Sequence, residues 1–205
     1  MASTLPIVFQ GGSRAVASYD YFDYFSGAGY KKFYLGASGI SGATVYLITT
    51  RAIDSSVNTR SLTSSAYSAN QDFDLTFNNP AIVKGDAFFN ITTQQAVSQN
   101  CWITVTVYKV DLAGSTLQIG IGQHAGVNGT GSQQNIRHCV KATLDNTHFG
   151  IGEKLRVNVK FTNDIAAGAV SIFFDPGSRQ TLTEAISGAT IGTDLTAEIP
   201  FKIDL

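Results

Sequence analysis

Apolar and polar residues alternate with a period of two along most of the chain, in runs parted by clusters of Gly, Asn, Asp and Ser. Successive strand residues point to opposite faces, so this rhythm predicts β-strands with one buried and one wet face. Lys32 to Leu35, Thr44 to Thr49, Phe73 to Phe77 and Ala87 to Thr92 are such runs. The clearest, Trp102 to Val110, sets Trp102, Thr104, Thr106 and Tyr108 on one side, with Ile103, Val105, Val107 and Val110 mostly on the other. That pattern predicts a central strand paired on both edges. Leu155 to Phe161 alternates without error, and Leu195 to Ile203 nearly does. Pro200 lies inside the latter and has no N–H to donate, which predicts an edge strand. No segment sustains an apolar repeat at helical spacing; Ser178 to Ile186 is the best helical candidate, and a short one.

About eight to ten strands with little helix predict an all-β fold, and strands apolar on one face suit two sheets packed face to face. The expected architecture is a single-domain, jelly-roll-type antiparallel β-sandwich. An immunoglobulin-type domain fits less well, because such a domain usually takes about 100 residues. Residues 1–30 stand apart from the sandwich expected over 31–205. Tyr19, Tyr21, Phe22, Tyr24 and Phe25 pack five aromatic rings into seven positions and need something to bury against. They form either a first strand of the core or an exposed arm, a candidate docking segment.

Composition narrows the partners. Charged residues are only 14% of the chain against 43% hydrophobic, so the surface must be rich in Ser, Thr, Asn, Gln and Gly. A net charge of -1 without clustered Lys and Arg argues against nucleic acid. No run approaches the ~18 consecutive apolar residues of a membrane span, and Met1 to Gln10 carries no export signal, so no membrane partner is expected. Cys101 and Cys139 are too few for a disulfide framework and are expected as buried thiols. Asn90 and Asn128 fit the glycosylation pattern without a secretory context to use it.

No assembled catalytic site is visible. His124, His138 and His148 are spaced by fourteen and ten residues, which gives no local metal-binding pattern. His138 and Cys139 are neighbours in a strand and should face opposite ways, so they do not form a base–nucleophile pair. Gly120-Ile121-Gly122-Gln123-His124-Ala125-Gly126 spells the dinucleotide-binding glycine pattern, but no helix follows to meet a pyrophosphate. It is expected as a long loop, running to Gln134. Asp72 and Asp74 share one strand face, whereas Asp54, Asp111, Asp145, Asp164 and Asp175 fall at expected turns, where Asp usually bonds its own backbone. No catalytic residue, cofactor or metal is expected.

Two resemblances add to this. Thr147 to Val159, with Gly152-Glu153 ahead of an alternating run, resembles the Gly-acid hairpin of trimeric jelly rolls of the tumour-necrosis-factor and complement-head type. Ala17 to Tyr21, Gly29 to Tyr34, Phe77 to Gly85, the His148-Phe149 stretch and Phe174-Asp175-Pro176 together are similar to jelly-roll virion proteins of tailed bacteriophages. That second resemblance implies a structural, non-enzymatic virion part, most simply a capsid decoration protein. It would be made in the host cytoplasm and bind the major capsid protein or another virion protein. It further implies a homotrimer, with residues 1–30 as a latch, and brings no catalytic residue or cofactor. The alternatives are a head fibre, tail adaptor or coat jelly roll, or a host- or carbohydrate-recognition module using Gly120 to Gln134.

Overall fold

The structure, a computed structural model, describes residues 17–18, 28–40, 43–50, 59–61, 68–95, 100–128, 134–164, 170–173, 181–183, 190–192 and 195–202. The strands among them, in chain order, are β1 (Ala17–Ser18), β2 (Ala28–Ile40), β3 (Ala43–Thr49), β4 (Thr59–Ser61), β5 (Ser68–Thr76), β6 (Ala81–Gln95) and β7 (Asn100–Val110). They continue as β8 (Thr116–Asn128), β9 (Gln134–Phe149), β10 (Lys154–Asn163), β11 (Val170–Phe173), β12 (Thr181–Thr183), β13 (Thr190–Gly192) and β14 (Thr196–Lys202). No helix occurs among the described residues; the short helical candidate instead contains β12, which pairs with β13.

The chain is all-β and a single domain, but a jelly-roll sandwich is not what the pairing defines. Strands β2, β3, β5, β10, β7, β8, β9, β6 and β14 follow one another by hydrogen bonding, and β14 pairs back onto β2, so nine strands close a barrel. Closure gives every strand of the ring a neighbour on each side. Two seams in it are narrow. β3 and β5 meet in parallel at Leu47 and Asp74, and β8 and β9 pair at Gly120–Leu144 and Ile121–Thr143.

The interior follows from the alternation. β10 buries Leu155, Val157, Val159, Phe161 and Asn163 while its other side chains face outward. β7 pairs with β10 on one edge and β8 on the other, the central position its sequence predicts, and buries Cys101, Ile103, Val105 and Val107. Trp102 is on the half-buried outer side. Phe33, Phe73, Phe89, Phe149 and Phe161 fill the centre, and each such side chain contributes about 1.5–3 kcal/mol relative to exposure.

Bulges keep strands in phase with this interior. On β9, Asp145 and Asn146 are both exposed between buried Leu144 and Thr147, opposite a register shift at Val83–Gly85 of β6. Asp145 is therefore a bulge residue, not the turn residue expected. Pro200 is not on an edge strand either. β14 lies between β2 and β6, and its register to β6 breaks between Glu198 and Phe201, so the missing N–H falls where no ladder bond to β6 is required. Gly85, at φ +113°, stands beside this bulge, with Pro200 ring carbons 3.7 and 3.9 Å from where its Cβ would be.

The expected glycine loop is also corrected over its described part: Gly120, Gly122 and Gly126 lie in β8. A Cβ on Gly122 would overlap the backbone carbonyl of Lys141, and one on Gly120 would sit 2.6 Å from Leu144 Cδ2 and 2.9 Å from Thr143 O. Glycine is there because β8 and β9 approach too closely for a side chain. The Gly-acid stretch is not a hairpin, since β9 pairs with β6 and β8 whereas β10 pairs with β5 and β7. It is a turn crossing the barrel, with Gly152 at φ +83°.

Candidate functional site

One group of base and hydroxyl side chains comes together inside the barrel. β6 contributes Thr93, β9 contributes His138 and β8 contributes His124. Ile91 and His138 are directly opposed across β6 and β9, and Thr93 is the diagonal neighbour on the same inward face. Thr93 and His138 are fully buried, His124 partly so.

Thr93 Oγ1 lies 2.8 Å from His138 Nε2, and His138 Nδ1 lies 3.3 Å from His124 Nδ1. The two imidazoles are edge-on, with planes at 84° and centroids 5.0 Å apart. His124 Nδ1 is also 2.9 Å from the carbonyl oxygen of Ala125. One proton assignment satisfies all three contacts. His124 Nδ1–H donates toward Ala125 O and His138 Nδ1, and His138 Nε2–H donates to Thr93 Oγ1. Burial, then the charge of His124 when protonated, pushes His138 down to about 4, so this imidazole is neutral near neutral pH.

The arrangement has hydroxyl-to-base spacing, but Thr93 Oγ1 is enclosed and its neighbour Nε2 is the donor in this tautomer. In this form it orders an interior imidazole and does not present a nucleophile. Local spacing could not reveal the cluster, because His124 and His138 meet across two strands running side by side, fourteen positions apart. An antiparallel reading of the segments flanking residues 129–133 would have been the signal.

The other candidate groups are held in structural roles. Asp74 accepts from Arg156 Nε at 2.7 Å and Nη2 at 2.9 Å, with Lys154 at 3.6 Å, and Asp72 accepts from Asn158 Nδ2 at 2.6 Å. Burial would raise the Asp74 carboxyl, but the Arg156 bonds and charge, with help from Lys154, bring it below its ordinary value. Register explains the set: Arg156 lies opposite Asp74, and Asn158 opposite Asp72. Asp111 is the expected turn residue, its Oδ1 accepting from the N–H groups of Ala113 and Ser115 at 2.9 and 2.8 Å. Asp164 bonds Asn100 through both backbone and side chain.

At the β9–β10 turn, Glu153 Oε2 accepts from Gly150 N at 2.6 Å and pairs with Lys109 at 2.7 Å, which also donates to His148 O. The Lys109 hydrogen bond, then the Gly150 N–H, lowers the Glu153 carboxyl. These groups border an open depression of about 360 Å³ with Asp111, Ser115, Thr116 and Leu117. Its Lys109 and Glu153 are already committed to the turn.

Neither cysteine forms a disulfide; Cys101 is buried as expected and Cys139 is exposed. Cys139 and His138 do face opposite ways. Asp54, Asp175, Tyr19, Tyr21, Phe22, Tyr24 and Phe25 lie outside the described residues, so the candidate docking segment is not placed by the structure.

No family model matches the chain, and no curated protein matches it in sequence. Solved structures do match. A CocE/NonD family hydrolase from Staphylococcus aureus aligns over 86% of this chain at 14% identity, with a TM-score of 0.59. An α-amino acid ester hydrolase aligns over 83% of it at 10% identity, with a TM-score of 0.52. The likeness is one of fold. The chain spans about a third of the hydrolases' length, 37% and 36% respectively.

This finding overturns the kinship expected with tailed-bacteriophage virion proteins, and with it the capsid decoration role and the expectation of a non-enzymatic protein. Structures of infectious bursal disease virus align with TM-scores of only 0.17 to 0.22, too low to indicate a common fold. The physical reason lies in the motifs that carried the resemblance. A Gly-acid turn and short aromatic strands are solutions any closed β-domain reaches, and here Gly152-Glu153 serves a crossing between strands that do not pair.

Proposed function

We propose that this chain is a β-domain working in an ester-hydrolysing protein, folded as the hydrolases' corresponding region is and acting together with a catalytic part. The observation that carries this is the alignment of 86% of the chain with 37% of a CocE/NonD family hydrolase at a TM-score of 0.59. A fold common to nearly the whole of one chain and a minority of the other is what a building block used in both would give. We further read the barrel as a flattened, jelly-roll-type sandwich. The two narrow seams split it into a face of β5, β10, β7 and β8 and a face of β9, β6, β14, β2 and β3.

The test is hydrolysis. p-Nitrophenyl acetate and an α-amino acid ester are offered to the purified chain, and to the assembly that a tagged chain carries out of its source cells. Ester cleavage abolished by heat denaturation is expected in at least one preparation. Its absence from both would overturn the proposal.

A further inference from the structure

Three polar atoms lie in a row beside β8. His138 Nδ1 and His124 Nδ1 are 3.3 Å apart, and Ala125 O is 2.9 Å from His124 Nδ1. Two ligands at about 2.0–2.1 Å from a tetrahedral ion stand about 3.3 Å from each other, and ligands at right angles about 2.9 Å. Each separation matches one of these ligand spacings, and each is also the length of a hydrogen bond.

The surroundings fit the same chemistry. His138 is turned by its Nε2 contact to Thr93 Oγ1, at 2.8 Å, so that Nδ1 is the nitrogen directed at His124. Metal-binding imidazoles are commonly fixed this way, donating the second ring N–H to an oxygen while the first stays unprotonated. His138 is fully buried, His124 partly exposed and Ala125 exposed, so an ion would be backed by the barrel interior and open to water on the other side. Among the described residues no three His, Cys, Asp or Glu side chains gather at one point, because the third donor here is a backbone carbonyl.

From this geometry we propose that His138, His124 and the Ala125 carbonyl form a binding site for a divalent transition ion of the zinc type, completed by water. Imidazole nitrogen is a donor that such ions favour. Binding requires the Nδ1 proton of His124 to leave. In the neutral ring this is a tautomer change, with the proton exchanged through solvent for one on Nε2.

Zinc chloride is titrated into the full, metal-free chain by calorimetry, with cobalt as a visible-absorption probe. One equivalent is expected to bind with a rise in melting temperature. His124→Gln, a change at a partly exposed position, should weaken binding at least about tenfold with the circular dichroism spectrum retained. His148→Gln and Cys139→Ser should bind as the unaltered chain does, which separates this site from the exposed cysteine and the third histidine. Failure of the unaltered chain to bind one equivalent, or binding that survives His124→Gln, or binding that disappears with His148→Gln or Cys139→Ser, would each overturn the proposal.

Discussion

Lowering the pH from about 7 to about 5 in the presence of a chelator leaves ordinary carboxylates largely ionised but protonates ordinary imidazoles. In the folded chain His138 is held at about 4, against the ordinary 6.5, first by burial and then by His124. Between those values the unfolded chain binds a proton that the folded chain refuses. Stability is thus full above the unfolded value, falls as the pH drops through it, and levels off below the folded one. Worked from the two values, the loss is about 2 kcal/mol by pH 5 and about 3 kcal/mol near pH 4. With a urea dependence of about 2 kcal/mol per molar, the first step moves the unfolding midpoint by about 1 M. Urea melts at both pH values measure this, and the NMR titration of the His138 ring in the native state gives its pKa directly. His138→Asn should be less stable at neutral pH yet lose about 2 kcal/mol less on acidification. A His138 ring that titrates near 6.5 in the folded chain would refute the reasoning, whatever the variant does.

Three further outcomes follow from packing. Phe161→Ala, at a fully buried position, should cost about 3–5 kcal/mol in denaturant melts, whereas Trp102→Ala on the half-buried outer face should cost less than half of that. Gly122→Val places a branched side chain on the Lys141 carbonyl and should cost at least about 2 kcal/mol by the same measurement, since β8 and β9 must part to admit it. Arg156→Met removes the ion pairs to Asp74 and Asp72, which are partly exposed. It should change stability by about 1 kcal/mol or less, an effect that shrinks further in high salt.

Where strand alternation meets a single buried face, sequence and structure agree, as in β7 and β10. The disagreements fall where two strands decide jointly. Pro200 excludes a ladder bond, but a bulge toward β6 lets β14 keep neighbours on both sides. Gly120 and Gly122 look like loop residues alone, and become strand residues once the nearness of β9 is known. Asp145 has the chemistry of a turn residue and is used to shift the phase of a strand. In each case the deciding contact comes from a segment distant in sequence, which no window around the residue contains.

The same limit governs the site and the function. His-x-His and His-Glu-x-x-His patterns report ligands that share one strand or one helix, whereas His124 and His138 share only a position along two neighbouring strands. A search for bases and ligands in an all-β chain therefore has to pair the strands before it measures spacing. Function is one step further removed. Uncharged, hydroxyl-rich surfaces and tight Gly-acid turns serve closed β-domains generally, so they could not separate a virion part from a hydrolase domain. The likeness to the hydrolases lies in the path of the chain through space, over 83–86% of its length at 10–14% identity. Fold in turn does not assign a reaction. Between a common barrel and a particular ester lies chemistry that only the hydrolysis assay can supply.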